Sequence, residues 1–422
     1  MSRAGEEAAG AAAEAAARHS YGKLVALLAA RTRDVAAAED ALSDAFAAGL
    51  VDWPKHGVPA CPEAWLLAVA KRRAIDSTRR RRRGDAAGEA LRLLVEEIED
   101  RAASAGDIPD HRLALMFACA HPAIDPGIHA PLILQTILGF DADAIGSAFL
   151  VAPAAMAQRL VRAKQKIRRA GIPLRVPGRD ELRERLGAVL DAIYAAFAEG
   201  WSDPAGTDIR RRNLAEEAIW LGRLLISLLP DEPEALGLLA LMLHAEARRG
   251  ARRDATGAYV PLDAQNPEGW NTVMIDEAEA LLRHASNQGA IGRYQLEAAV
   301  QSAHAVRRRI GEADWHAIER LYDALFALTA SPVVAINRAI ARAETSGAEA
   351  GLAALDDLAL EPRLGDYQPY WAARAGLLAR TGRIEAADEA YARAIGLEAD
   401  PALRRFLQER RAEVSAGRRR ST

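Results

Sequence analysis

The chain has 422 residues, a formal net charge of -3, 50% hydrophobic residues and only 5% aromatic residues. Its length exceeds what one hydrophobic core can organise, so we expect roughly two or three domains. The charge argues against a uniformly basic nucleic-acid binder, and the dominance of Ala, Leu, Arg and Glu favours an all-helical protein.

Cysteine usage and the terminus indicate the compartment. The chain has two cysteines, Cys61 and Cys119, which excludes a disulfide-rich secreted scaffold. The N-terminus is rich in Ala and Glu and lacks the basic start and apolar core of a signal peptide. No uninterrupted apolar run reaches the length of about 18 residues that a membrane span needs. We therefore expect a cytoplasmic protein that does not enter the membrane.

The N-terminal part is predicted to hold a first helical unit. Residues 1–18 are low in complexity and are predicted to form a disordered arm. Helical periodicity begins near His19, and Asp34 is typical of the residue that caps a following helix. That helix has an acidic side opposite its apolar side. Its acidic side comprises Glu39, Asp40, Ser43 and Asp44.

The next helix combines an apolar half with a cationic half. Residues 64–83 keep helical periodicity, and residues 71–83 contain eight basic residues and one acid, Asp76. Five consecutive arginines, residues 79–83, close the segment. Residues 84–107 are rich in Gly, Ala and acids and predict a linker with one short helix.

A second helical unit follows and ends in the stretch Gly139–Gly171, with the sequence GFDADAIGSAFLVAPAAMAQRLVRAKQKIRRAG. Asp141 can cap a short helix, and Pro153 suits the first turn of the next one. The second helix has an apolar face and several cations on its other faces. This pattern is typical of a helix-turn-helix whose second helix lies in a DNA major groove, or of a basic surface helix in an ordinary bundle.

After Gly171-Ile172-Pro173 the chain predicts helices at regular spacing, as in an α-solenoid. One pair near the end matches a tetratricopeptide (TPR) unit, with Trp371, Ala375, Leu378, Ala387, Tyr391 and Ala394 at the matching offsets. A long connection, residues 252–270, is predicted to be a hairpin or extended loop, either functional or incidental. We expect that it can be deleted without unfolding the protein.

Signals for other chemistry are weak. Cys119, His121 and His129 do not match a zinc signature, and the chain has no Gly-rich phosphate loop, nucleophile elbow or HExxH pair. We therefore expect no metal, no cofactor and no enzymatic activity.

In this order, the segments resemble sigma factors of the sigma-70 class, specifically the extracytoplasmic-function group that keeps only regions 2 and 4. Region 2 resembles residues 19–83, where AAAEDALSDAF is similar to the acidic helix that docks on RNA polymerase, and EAWLLAVAKRRAIDSTRR to the helix for the -10 element. Region 4 resembles residues 108–172, where AMAQRLVRAKQKIR is similar to the -35 recognition helix. Residues 178–422 look like the TPR-like extension of one subgroup.

The resemblance implies an all-α fold and three sets of contact residues. The -10 set is Trp65, Lys71, Arg72, Arg73, Asp76, Arg79 and Arg80. The -35 set is Ala155, Gln158, Arg159, Arg162, Lys166 and Arg169. The polymerase set is Glu39, Asp40, Leu42, Asp44 and Phe46. Trp65 is alternatively a core residue, and residues 79–83 are alternatively a basic tail that adds only nonspecific affinity.

Two departures from the family shift the expected readout. Arg72 stands where the family often has Asn, and Ala155 and Ala157 stand where polar residues are common. Alanine cannot hydrogen-bond a base, although it can touch a thymine methyl group. Specific -35 recognition is therefore expected to depend on Gln158, which can pair with adenine, and on Arg159 or Arg162, which can pair with guanine.

The resemblance thus implies an alternative sigma factor whose partners are core RNA polymerase and promoter DNA. Its C-terminal helical domain is expected to tune activity, in part through contact with the sigma domains. One alternative is a TPR-type scaffold or regulatory protein with a sigma-like head that does not itself initiate transcription. Another is an enzyme that acts on a small ligand in the helical array.

Overall fold

The computed structural model describes residues 3–81, 111–148, 151–201, 209–361 and 364–421. Within these ranges every regular secondary-structure element is a helix. The sole β-type pairing there is an isolated bridge between Arg253 and Tyr259. The all-α prediction is therefore confirmed. The chain divides into an N-terminal unit, Met1–Glu199, and a C-terminal unit, Gly200–Thr422.

The N-terminal unit contains eight helices among the described residues. They are α1 (Arg3–Thr32), α2 (Val35–His56), α3 (Pro62–Arg81), α4 (Arg112–Cys119), α5 (His129–Leu138), α6 (Ala142–Ala148), α7 (Pro153–Arg169) and α8 (Arg179–Trp201), the last of which ends at the start of the C-terminal unit. Residues 82–110 lie outside the described part of the chain, and the predicted linker falls there.

The prediction of a disordered arm at residues 1–18 is wrong for its described part, because residues 3–18 form the first half of α1. Ala9, Ala13 and Ala16 recur at helical spacing and are 1%, 7% and 2% exposed. A Cβ atom on Gly5 would lie 3.3 Å from the carbonyl oxygen of Pro54, so this part of α1 runs closely beside α2. Ala has the highest helix propensity of all residues, and its small side chain permits this close packing. An Ala-rich composition is thus typical of a helix as well as of an unstructured arm.

The short helix, turn and longer helix predicted in residues 139–171 are present as α6 and α7. Asp141 caps α6, since its Oδ1 accepts a hydrogen bond of 2.7 Å from the Ala144 amide. The turn is tight, because a Cβ atom on Gly146 would lie 2.8 Å from the carbonyl oxygen of Val151. Pro153 is the first residue of α7, as expected for a residue without an amide donor. Residues 149–150 of the turn lie outside the described ranges.

Helix α8 belongs mainly to the N-terminal unit, so the observed division falls one helix after the boundary predicted at residues 172–178. The prolines there, Pro173 and Pro177, interrupt the helix but not the packing. Arg185 of α8 is 7% exposed and donates a hydrogen bond to the carbonyl oxygen of Phe117 in α4. Its guanidinium carbon also lies 5.7 Å from the centre of the Phe117 ring.

The C-terminal unit is a succession of helices in which neighbours along the chain pack on one another. They are α9 (Ile209–Leu228), α10 (Pro233–Ala247), α11 (Thr272–Ser286), α12 (Arg293–Ala305), α13 (Arg307–Ile310), α14 (Trp315–Thr329), α15 (Pro332–Ser346), α16 (Ala348–Asp356), α17 (Gln368–Arg380), α18 (Ile384–Leu397) and α19 (Pro401–Ser421). Of the predicted TPR-like set, Ala375, Leu378, Ala387, Tyr391 and Ala394 are buried in one cluster, and Trp371 packs against it. The TPR-like description itself stays a prediction.

The 252–270 loop is an ordered connection with a hairpin-like start. Val260 donates to the carbonyl oxygen of Arg252 and Asp254 to that of Ala258, at 2.9 and 3.0 Å. Asp254 also accepts bonds from the Thr256 side chain and amide. The prediction of a small hairpin therefore describes the first part of the loop, and short 3-10 turns form the rest.

This loop contacts both ends of the C-terminal unit. Arg252 donates to the carbonyl oxygen of Trp201 at 3.0 Å, and its guanidinium carbon lies 3.8 Å from the centre of that indole. The neighbouring Arg253 forms an ion pair of 2.5 Å with Asp400 of α19. Arg307 holds the far part of the loop, through hydrogen bonds of 2.7 and 2.6 Å to the carbonyl oxygens of Leu262 and Gln265. These contacts argue against the expectation that the loop can be deleted without unfolding the protein.

Arg252→Ala should lower the free energy of unfolding by about 2 kcal/mol, because it removes a cation–π contact and a hydrogen bond to a main-chain oxygen. Urea denaturation of the full chain measures the loss. Arg309→Ala, at an exposed arginine of α13, is the matched control and should change stability by less than about 0.5 kcal/mol. Equal effects of the two substitutions would contradict a stabilising role for the loop.

His304 makes stability depend on pH. Burial, followed by the charges of Arg248 and Arg307, lowers the pKa of His304 from 6.5 to about 4. The unfolded chain therefore takes up this proton at a higher pH than the folded chain. The stability that His304 contributes is complete above pH 6.5 and is lost as the pH falls through about 4.

His304→Gln should therefore reduce the fall in melting temperature between pH 6.5 and pH 4 by several degrees. Differential scanning calorimetry across this range measures the fall. His316→Gln, at an exposed histidine, serves as the control and should retain the wild-type fall. A pH profile of His304→Gln identical to the wild type would show that His304 does not contribute.

Candidate polymerase and nucleic-acid interfaces

The predicted polymerase set lies on α2, and the structure divides it into buried and exposed members. Asp34 caps the helix, its Oδ1 accepting from the Ala37 amide at 3.2 Å. Asp40 and Asp44 are exposed and Phe46 is half-buried. Leu42 is fully buried and belongs to the core, so it cannot form part of a docking surface in this conformation. We call Glu39, Asp40 and Asp44 the α2 acidic face.

Glu39 is largely covered by a lysine from α7. The Nζ atom of Lys164 lies 2.5 Å from Oε2 of Glu39, and the two side chains are 10% and 13% exposed. The second carboxylate oxygen of Glu39 is buried without a hydrogen-bond partner. Burial raises the pKa of Glu39, while the nearby charge of Lys164 lowers it. In this conformation Glu39 therefore binds α7 and is not offered to another protein.

The exposed side of α2 extends beyond the predicted residues. Leu50 and Val51 are 50% and 62% exposed, and Ala47 is exposed as well. Asp40, Asp44, Ala47 and Val51 follow helical spacing, so they share one side of α2. Sequence reasoning missed this apolar continuation, although the same spacing could have identified it. The result is a strip with acidic residues at one end and apolar residues at the other.

In the predicted -10 helix, α3, the structure separates packing from exposure. Trp65 is half-buried, and its ring meets the fully buried Trp53 edge to face with the centres 5.4 Å apart. Arg72 and Arg73 are exposed, and Lys71 is half-buried. The side chains of Asp76, Arg79 and Arg80 lie outside the described part of the structure. Trp65 therefore has a packing role whether or not it also contacts DNA.

Helix α7 separates its apolar and polar sides as predicted. Met156, Leu160, Ala163 and Ile167 are buried. All six residues of the predicted -35 set are exposed: Ala155, Gln158, Arg159, Arg162, Lys166 and Arg169. We call Gln158, Arg159 and Arg162 the reading face. Arg162 donates a hydrogen bond of 3.3 Å to Gln158, one helical turn away.

Two further residues accompany the reading face but were missed in the sequence. Val161 is 52% exposed, and Gln165 is exposed too. An exposed valine among cations can contact a thymine methyl group, and a glutamine can pair with adenine. Both residues lie outside the helical spacing of the buried stripe, and this spacing could have identified them as exposed.

A second ion pair and a close backbone contact also join the predicted region 2 to the predicted -35 unit within the N-terminal unit. Arg168 of α7 lies 3.0 Å from Asp34, the cap of α2. On α1, a Cβ atom at Gly22 would lie 2.1 Å from the carbonyl oxygen of Ile137 in α5, so only glycine fits there. The predicted -35 unit is thus packed against the predicted region 2.

The cysteine and histidines considered for zinc do not converge. Cys119 is buried with its Sγ atom 3.5 Å from the hydroxyl of Thr136, and burial raises its pKa to about 12. His129 bonds the carbonyl oxygen of Ile124, and His121 accepts from the Ala123 amide. No group of three or more such ligands is placed to hold a metal ion among the residues with described positions. Nor does any helix in those ranges have the length and apolarity to cross a bilayer.

Two family models match separate segments of the chain. A family model for sigma-70 region 2 matches residues 17–84, and one for a family of unknown function, DUF6596, matches residues 185–286. The uncharacterized protein R00370 of Rhizobium meliloti (strain 1021) is 39% identical over 371 residues, which cover 86% of this chain and 87% of that protein. No solved structure matches the chain.

The helices α2 and α3 and most of the second half of α1 therefore form a sigma-70 region 2 domain, which supports a sigma-70-type factor with a role in transcription. Over nearly its whole length the chain belongs to the family of R00370 from Rhizobium meliloti. The DUF6596 match begins within α8 and ends at α11, so it covers the first part of the C-terminal unit and the 252–270 loop.

Proposed function

We propose that this protein is an alternative sigma factor that directs core RNA polymerase to specific promoters. The observation that carries the proposal is the region 2 match on α1 to α3 together with an exposed reading face on α7 in the same compact unit. Region 2 of the sigma-70 class implies binding to core polymerase and recognition of promoters. Members of this class are not enzymes, and the protein would act in the cytoplasm, where its polymerase and DNA are found.

The roles of the residues follow from their exposure. Asp40 and Asp44, with the apolar strip beside them, would contact polymerase. Arg72 and Arg73 would neutralise phosphates near the -10 element, an interaction that weakens with salt. Trp65 would be the aromatic surface nearest the unpaired strand.

On α7 the reading face would contact base edges of the -35 element. Gln158 and Arg162 each present groups that can pair with two atoms of one base. Lys166 and Arg169 lie nearer the end of the helix and would contact phosphates, which position the protein without reading sequence. The helix N-terminal half would thus specify sequence, and its C-terminal half would add affinity.

We infer that the C-terminal unit tunes this activity, in part through contact with the sigma domains. The support is its extent, since it comprises about half of the chain, and its ordered 252–270 loop. The competing proposal is a scaffold protein whose sigma-like head binds proteins without starting transcription.

Run-off transcription with core polymerase and genomic promoter fragments distinguishes these functions. The full chain should produce specific transcripts, and Asp44→Lys should reduce their yield at least about tenfold by reversing a charge on the docking strip. Asp143→Lys, an equal charge change at an exposed site on α6, is the control and should be less harmful. Binding to polymerase without any transcript from any fragment would favour the scaffold.

Gln158→Ala combined with Arg162→Ala should weaken binding to the cognate promoter at least about tenfold, since each paired base contributes about 1–3 kcal/mol of discrimination. Binding to random DNA of equal length should fall much less. Arg169→Ala is the matched control and should weaken binding to both DNAs by similar factors. Electrophoretic mobility shifts at fixed salt measure the affinities of the wild type and both variants for the two DNAs. Equal losses of the double variant on both DNAs would refute base readout.

A further inference from the structure

The packing of α7 on α2 places two proposed functional surfaces in contact with each other. Lys164 and Arg168 project from the helix proposed to read DNA and pair with Glu39 and Asp34 at 2.5 and 3.0 Å. Glu39 belongs to the face proposed to bind polymerase. The remaining acids of that face, Asp40 and Asp44, lie one residue and about one turn further along the same helix. A protein docking on this face would therefore compete with α7.

Distance along the promoter gives a second reason why this arrangement cannot be the active one. The -10 and -35 elements lie about 25 base pairs apart, on the order of 85 Å of duplex at 34–36 Å per turn. Both α3 and α7 pack on α2. That helix has 22 residues, so its length is about 33 Å. While both α3 and α7 pack on α2, they are too close together for α3 to bind the -10 element and α7 the -35 element at the same time.

We propose that α7 competes with polymerase for the α2 acidic face. The ion pairs of Lys164 and Arg168 hold the N-terminal unit in a closed state that does not bind polymerase. This proposal rests on the proposed function, because it takes α2 as the polymerase-binding helix. Release of α7 exposes Glu39 and frees the reading face to move away from region 2. Opening of the α2–α7 contact is therefore a step that precedes assembly with polymerase.

The chemistry of the contact suits reversible opening. The Lys164–Glu39 pair is largely buried, and its attraction is offset by the desolvation of both charges. The unpaired oxygen of Glu39 adds to that cost. The attraction exceeds this cost by only a small margin, so the pair holds the closed state and still allows it to open. Reversing one charge places like charges together in a buried site and should open it strongly.

Fluorescence energy transfer can report the opening directly. Cys61 is exposed, whereas Cys119 is fully buried and burial raises its pKa to about 12, so Cys61 reacts first with a thiol-directed dye. Cys61 lies just before α3, and a second dye can be attached at Gln165→Cys on the exposed side of α7. Transfer should be high in the closed unit and should fall when α7 moves away.

Three variants in the doubly labelled full chain test the proposal. Lys164→Glu should lower energy transfer and raise the affinity for core polymerase, by about tenfold if the closed state holds about nine-tenths of the molecules. The double variant Glu39→Lys with Lys164→Glu restores opposite charges and should restore energy transfer. Arg175→Glu has the same charge change at an exposed site after α7, and should alter neither energy transfer nor affinity.

The outcomes separate this proposal from the function on which it rests. Lower transfer with unchanged polymerase affinity would show that α7 does not compete, and would overturn the proposal while leaving the sigma function intact. Unchanged transfer in Lys164→Glu would show that the ion pairs do not hold the unit closed. If neither the wild type nor Lys164→Glu binds polymerase, the proposed function fails, whatever the energy transfer shows.

Discussion

The N-terminal unit depends on the packing of α1, a single helix of 30 residues that contacts the other region 2 helices as well as α4 and α5. Its first half lies along α2 through buried alanines, and its middle meets α5 at Gly22, where the two backbones approach too closely for any side chain. Small residues make both contacts possible. A bulkier residue at Gly22 would push α5 away, and α7 with it, since α5, α6 and α7 are consecutive and packed together.

This packing couples the proposed polymerase-binding surface on α2 to the proposed DNA-binding surface on α7. Region 2 and α7 pack on each other, so the accessibility of one is linked to the position of the other. The link is electrostatic at Glu39 and Asp34, and steric at Gly22. The strip on α2 that remains exposed, from Asp40 to Val51, is the part that a partner could reach first.

Much of the fold could be predicted because helices have local causes. In the C-terminal unit, prolines stand in the first turns of α10, α15, α17 and α19, and Asp314 caps α14. The errors came where tertiary contacts decide. Residues 3–18 have the composition of an unstructured arm, and their helix is stabilised by packing of its alanine face against α2. The prolines before α8 indicated a domain boundary, yet Arg185 joins that helix to α4 by a contact that sequence spacing cannot reveal.

The candidate site shows the same division. The apolar stripe of α7 identified its buried residues, and the reading face followed as the remainder. The sequence pattern predicts Lys164 among the surface cations of this helix, because a lysine that pairs with a carboxylate looks the same in a sequence as one that pairs with phosphate. Its position between Ala163 and the buried Ile167, beside the stripe, was the available signal. Leu42 shows the converse: an apolar residue between acids was assigned to a docking surface and instead lies in the core.

Two arginines at the 252–270 loop donate to main-chain oxygens: Arg252 to that of Trp201, and Arg307 to those of Leu262 and Gln265. A carbonyl oxygen is common to every amino acid, so its owner can be exchanged during evolution without removing the acceptor. The donor has no such freedom, because lysine lacks the planar fork that reaches two carbonyls together. Within relatives of this protein, the arginines should therefore drift more slowly than Leu262, whose side chain contributes nothing to that bond.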